Sequence, residues 1–185
     1  MRRQTDEEQG RGSLNRVIKL NLSAESIDAA IREVEQFQQW IQEKTKELLN
    51  ALAQQGYEIC SYHFSLAAYD GTNDVQCSFE ERGENVVAVV AVGHATLFIE
   101  FGTGIMFPDD HPEAAENNMI RGEYGKKQGA NPNGWYYRGD PGTYGEVDKN
   151  GKVHTYGSPA NMCMYLAIRD VERMFEETAR RVFSG

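Results

Sequence analysis

The segment "ATLFIEFGTGIMFP", residues 95–108, decides how the chain is read. Its first half is apolar, with β-branched and aromatic residues, which predicts a strand. Glu100 interrupts that run, and Gly102-Thr103-Gly104 follows it. A carboxylate among apolar residues with two glycines behind it suits a ligand loop, a catalytic turn or an assembly motif. Gly102-Thr103-Gly104 opens like a dinucleotide loop. Position 107, however, is Phe where the third glycine belongs, and Pro108 argues against a following helix. The glycines therefore read as a tight turn with positive φ.

Upstream, "RVIKLNLS" alternates apolar and polar residues and predicts a short strand over 17–22. Ser23 is a candidate N-cap. From there Ile27, Ile31, Val34, Ile41, Leu48 and Leu52 share one helical face, widened by Phe37 and Trp40. This predicts a long amphipathic helix ending near Gly56, a favourable residue just past a helix end. A helix of that length packs across a sheet or against a neighbouring subunit. Residues 57–69 fit either more helix or a strand. Residues 70–73, Asp-Gly-Thr-Asn, read as a turn. "DVQCSFEERG" and "VVAVVAV", separated by Gly83-Glu84-Asn85, predict a β-hairpin.

Residues 108–157 have the opposite character: rich in Gly, Asn, Asp, Pro and Tyr and poor in aliphatics. An insert of this length is functional or mobile. Within it "GWYYR" and "KVHTY" are expected to pair as a wide hairpin, with Asn150-Gly151 at a turn. The chain closes with a second helix, for which Ser158 is the expected N-cap and Pro159 the first helical residue. Met164, Ile168, Val171, Phe175 and Val182 form its expected apolar stripe, with Phe175 buried mid-stripe.

The chain has 185 residues and a formal net charge of −9, which suits one domain and argues against a broad grip on nucleic acid. Arg2-Arg3 and Arg180-Arg181 read as solvated surface. The polar start lacks the apolar region of a signal peptide, so a cytosolic location is expected. No apolar run reaches the ~20 residues of a membrane span. Cys60, Cys77 and Cys163 are odd in number and widely spaced, so no disulfide framework or zinc motif is signalled and reduced thiols are expected. Residues 1–14 are expected to form a flexible arm, and 15–185 a single α+β domain: an antiparallel sheet packed by a long N-terminal helix and a C-terminal helix.

Chemistry is sparsely signalled. Asp109, Asp110, His111 and Glu113 lie close together and could serve a metal-dependent enzyme, but a solvated acidic loop accounts for them more simply. His63, His94 and His154 fall in no ligand array. No G-x-S-x-G nucleophile motif occurs, and Cys163, between two methionines, reads as a small hydrophobe. Arg138-Gly139-Asp140 is too short a match to carry an adhesion role. Trp135, Tyr136 and Tyr137, with Tyr144 and Tyr156, either bind sugars or proteins or anchor the insert. No catalytic residue, metal site or cofactor is expected.

Two segments read together are more informative: "FIEFGTG", residues 98–104, and "HTYGSPANMCMYLAIRDV", residues 154–171. The chain resembles the neck or tail-component family of long-tailed phages and prophages, the gene-product-ten-like proteins. Members carry an apolar strand ending E-F-G-T-G and a later G-x-P-A segment opening the last helix. Glu100, Phe101, Gly102, Thr103 and Gly104 match the first pattern. Gly157, Ser158, Pro159, Ala160, Met164 and Tyr165 match the second. The layout of residues 17–56 is similar in type. Where many members have P-x-x-T-G-x-L after the first helix, this chain has "CSYHFSLAAYDGTND". The resemblance implies a structural protein that forms a ring and joins head to tail. Its implied partners are further copies of itself, a connector or head-completion protein, and a tail terminator or tube protein. It implies no membrane partner and no sequence-specific nucleic acid, although DNA would pass through the lumen. It implies no catalytic residues, and it makes Glu100 an acceptor that locks the turn beneath the insert. The implied location is the host cytoplasm during assembly, then the virion neck. The alternative is a carbohydrate- or protein-binding module built on the aromatic insert.

Overall fold

The structure, a computed structural model, describes residues 17–67, 73–103, 111–119 and 133–184. The expected arm, most of the turn at 70–73, Gly104, residues 108–110 and the middle of the insert lie outside the described residues.

Ser23 opens the first helix as expected. Its Oγ accepts the Ser26 N–H at 3.2 Å, while Asn21 Oδ1 accepts the Ser23 N–H at 2.9 Å. Helix α1 (Ala24–Leu66) runs for 43 residues, about 65 Å at the usual rise. It continues past the end expected at Gly56 because Ala53, Gly56, Cys60 and Phe64 form one buried face at helical spacing. Gly56 instead allows close packing: a Cβ there would lie 3.3 Å from Val89 Cγ2 and 3.4 Å from Val171 Cγ2. The helix stops at Ala67, where the Asn73 side-chain amide donates to the carbonyls of Phe64 and Ala67. The strand expected over 17–22 does not form. Val17, Leu20 and Leu22 are exposed, and among the described strands none pairs with this segment.

The hairpin of β1 (Gln76–Glu81) and β2 (Val87–Val92) is present, in antiparallel register from Gln76↔Val92 to Glu81↔Val87. It lies on α1, where the Tyr57 and Phe79 rings meet edge to face at 5.9 Å. The next segment corrects the opening expectation: residues 96–101 form a short helix, α2 (Thr96–Phe101), not a strand. Ala95 and Ile99, four apart, both point into the core, and the Ile99 N–H donates to the Ala95 carbonyl at 2.8 Å. Asp74 prepares that turn by accepting the N–H groups of His94 at 2.8 Å and Ala95 at 3.0 Å.

A second, three-stranded sheet lies within the insert: β3 (Trp135–Tyr137), β4 (Gly145–Val147) and β5 (Val153–Thr155), in the order β3-β5-β4 and antiparallel throughout. The β3–β5 pairing and the Asn150-Gly151 turn match expectation. The intervening β4 was not anticipated, since Gly145-Glu146-Val147 carries almost no β signal.

Helix α3 (Cys163–Ser184) starts after the expected Ser158 and packs antiparallel along α1. Trp40 meets Phe183 at 5.8 Å, and Gln55 exchanges hydrogen bonds with Thr178. Its buried face is Cys163, Ala167, Thr178 and Val182, rotated from the expected stripe. Phe175 is half exposed, not buried, because small residues make the close helix–helix approach and push the large ones to its margin. The core joins Cys60, Phe64, Ala67, Ala95, Ile99, Cys163 and Ala167, so both long helices, α2 and the hairpin share one interior. The architecture is α+β, with the long N-terminal helix, antiparallel sheets and C-terminal helix that the sequence implies.

Asp74 supplies a test of how this interior is held. The backbone N–H of Ala95, then that of His94, hold its carboxyl down from the ordinary 3.8 to about 2. A carboxyl depressed in the folded state contributes stability above its ordinary value, and that contribution is lost as pH falls through about 2. Asp74→Asn is expected to melt below the parent near neutral pH. The gap should close as the pH is lowered from about 4 towards 2, which thermal melts across that range would measure.

Candidate functional site

Glu100 ends α2 with its carboxylate pointing inward and is only 5% exposed. Oε2 accepts the Met164 N–H at 2.8 Å, and Oε1 accepts the Tyr165 N–H at 3.0 Å. Met164 and Tyr165 are the second and third residues of α3, whose N–H groups have no partner within the helix. A side-chain acceptor on the residue preceding a helix usually binds these groups. Here that residue is Met162, which has φ 54° and no such acceptor. Glu100 does the work from 62 positions upstream (162 − 100), and its negative charge meets the positive end of the helix dipole.

A third donor completes the carboxylate. His111 is 4% exposed, and its Nε2 lies 3.0 Å from Glu100 Oε1. The Glu113 N–H points at His111 Nδ1 from 3.1 Å, which leaves that nitrogen as acceptor and places the ring proton on Nε2, donating to Glu100. Phe101 and Tyr165 flank the imidazole at ring distances of 4.4 and 5.2 Å. His111 was read as part of an acidic, metal-binding span. The structure places it inside, as a satisfied partner of Glu100. Among the described residues, no group of three or more His, Cys, Asp or Glu is arranged to hold a metal ion.

The turn behind Glu100 joins the same contact. The Thr103 N–H donates to the Ser158 carbonyl at 2.8 Å, and the Ser158 N–H donates to Thr103 Oγ1 at 3.1 Å. The Asn161 and Met162 N–H groups donate to the carbonyls of Ile99 at 2.9 Å and Glu100 at 3.1 Å. Gly102 has φ 75°, and a Cβ there would lie 2.6 Å from the Ala160 nitrogen and 2.7 Å from the Pro159 carbonyl carbon. Only glycine fits both the backbone conformation and the space. Glu100, Phe101, Gly102 and Thr103 thus lie against Ser158, Pro159 and Ala160, with Gly157 leading in from β5. Gly104 lies outside the described residues.

The aromatic candidates divide. Trp135 and Tyr137 line a cleft of about 340 Å³ that reaches Thr103 and Ser158. Tyr136, between them on β3, is largely exposed and packs on His154 at 4.5 Å. The three cysteines, distant in sequence, gather beneath this region. Cys60 Sγ is 3.4 Å from Cys77 Sγ and 3.1 Å from Met164 Sδ. Cys163 is fully buried, and burial pushes its thiol up to about 12. Cys60 is raised as well, first by burial and then by its hydrogen bond to Cys77. Both stay protonated near neutral pH and act as small core side chains.

Sequence reasoning missed the capping role of Glu100 towards α3 and the place of His111. One signal was available: "SPANMC" has no capping side chain next to Cys163, so an acceptor had to come from elsewhere. Comparisons with protein-family models, with curated proteins and with solved structures give no match.

The site predicts a ranking of substitutions. Glu100→Ala removes a helix cap and strands a buried imidazole donor, a loss of about 3 kcal/mol. Glu100→Gln retains the shape and one acceptor oxygen but turns an NH₂ towards one N–H, so its loss should be smaller, about 1–2 kcal/mol. Gly102→Val combines strain with backbone overlap and should leave little folded protein. Thermal and urea melts of the three variants check the order. A Gly102→Val chain as stable as the parent would refute the packing described.

Proposed function

We propose that this chain is a structural protein of a phage or prophage head–tail junction, a neck or tail-completion component that assembles as a ring. The observation that carries the reading is the direct contact between the two segments bearing the resemblance, residues 98–104 and 154–171. Their shared residues make a closed hydrogen-bond network in which Glu100 is saturated by Met164, Tyr165 and His111. A carboxylate used in this way holds a helix in place. The pattern E-F-G-T with G-S-P-A is then explained by packing, as suits a protein whose task is shape. The reading assigns no catalytic residue and no cofactor. It names as partners further copies of the chain, a connector or head-completion protein below the head, and a tail terminator or tube protein. The net charge of −9 suits a lumen wall that repels the passing duplex. The protein would be made in the host cytoplasm and end in the virion.

A second reading rests on the cleft lined by Trp135 and Tyr137: a carbohydrate- or protein-binding module, in which those rings would stack on a sugar or partner side chain.

The deciding experiment is deletion of the gene from the phage or prophage that carries it. The expected phenotype is DNA-filled heads and free tails side by side in electron micrographs, with joining restored by the wild-type gene. Normally joined particles from the deletion would overturn the proposal. Glycan-induced chemical-shift changes at Trp135 and Tyr137 in that event would favour the second reading.

A further inference from the structure

Helix α1 is far longer than the helix that covers it. α3 has 22 residues against 43, and its last turn reaches α1 only at Trp40, which meets Phe183. The apolar face that α1 buries around Ala53 and Gly56 nevertheless continues towards its start. Ile27, Ile31, Val34 and Ile41 lie on one stripe, and all four are exposed, Ile31 and Val34 by about half. At the other end, α1, β2 and α3 frame an open apolar groove of about 570 Å³, lined by Leu52, Val89, Ile168, Val171 and Phe175, with Glu172 its only charged side chain.

We propose that the first four turns of α1 in one copy dock into the α1–β2–α3 groove of a second copy. The ridge and the groove cannot meet within one chain. Ile31 and Leu52 are on the same helix, about 30 Å apart along its axis. Residues 1–16, just before α1, contain only Met1 and Leu14 as large apolar side chains, so they cannot supply a filling ridge. A second copy offers the matching chemistry and length. Sixteen helical residues are about 24 Å long and bury roughly 500 Å² per partner, below the ~800 Å² of a standard interface. One contact alone is therefore weak, and a copy that docks at both ends makes two. Because ridge and groove are different surfaces, the contact is head to tail and generates an open chain or a ring. This deepens the ring reading above. It relies on that reading only for closure, and the contact itself stands on the uncovered stripe and groove.

The test uses the full chain and two variants, Ile31→Glu in the ridge and Phe175→Glu in the groove. Both positions are half exposed, and unchanged melting curves would verify that the variants fold. Sedimentation over rising concentration should show the parent growing past the dimer. Each variant alone should associate at least tenfold more weakly. An equimolar mixture should form dimers and stop there, since one ridge and one groove remain intact between the two variants. A parent that stays monomeric at its solubility limit would overturn the inference. So would a Phe175→Glu chain that still associates as the parent does, the result expected if two α1 ridges pair with each other. The deletion phenotype is read separately. Association without that phenotype would remove the neck reading and leave this surface standing, and the converse would place the ring contacts elsewhere.

Discussion

The carboxylate of Glu100 at the head of α3 is the contact on which the remaining structure depends. It accepts the Met164 and Tyr165 N–H groups and the His111 ring proton, and so ties three separate stretches of chain together. A buried carboxylate with these donors missing would carry a desolvation penalty of several kcal/mol. With them present it fixes where α3 begins and the direction in which it leaves. That direction lays Cys163 and Ala167 against Cys60 and Phe64 and closes the core. The small residues along the α1–α3 contact work only because the start of α3 is set by Glu100.

The glycine behind the carboxylate serves the same purpose. With φ 75°, Gly102 turns the chain so that Thr103 lies against Ser158, and the space a side chain would need is filled by the backbone of 158–160. The two hydroxyls are buried and partner each other at 3.2 Å. The second sheet hangs from this junction, since β5 leads through Gly157 directly into Ser158. The insert is thus anchored at both visible ends on the pair of segments that the core requires.

Much of the fold was legible in the sequence because it is local. The Ser23 cap, the β1–β2 hairpin and the pairing of "WYYR" with "KVHTY" follow from neighbouring residues and periodicity. What was missed depends on partners distant in sequence. "ATLFIEF" has the composition of a strand but lacks a strand to pair with, and burial of Ala95 and Ile99 four residues apart turns it into a helix. Gly56 looked like a helix end because its role, the approach of Val89 and Val171, is tertiary. Phe175 looked like core because periodicity gives a stripe but not its rotation against α1. For the site, Glu100 and Gly102 stood out as a conflict with their surroundings, and an acceptor role was the right chemistry. The identity of the donors could not be read from local pattern. The grouping of Cys60, Cys77 and Met164 was equally hidden, since no spacing rule connects them.

The distance along the chain between Glu100 and its donors also bears on the order of events during synthesis. Met164 and Tyr165 follow Glu100 by more than sixty residues, and the whole insert must be made before they appear. Such a non-local closure is slow in comparison with formation of α1 or the hairpin, because loop entropy opposes it until the contact is nearly complete. The nascent chain therefore emerges with α1 and β1–β2 able to associate early and an apolar face waiting for its last helix. Completion of the fold coincides with release of the C-terminus, so the surfaces that depend on α3 come into being only on finished chains. An assembling protein gains from that timing: partial chains lack the α3 wall of the groove and cannot be drawn into a growing oligomer.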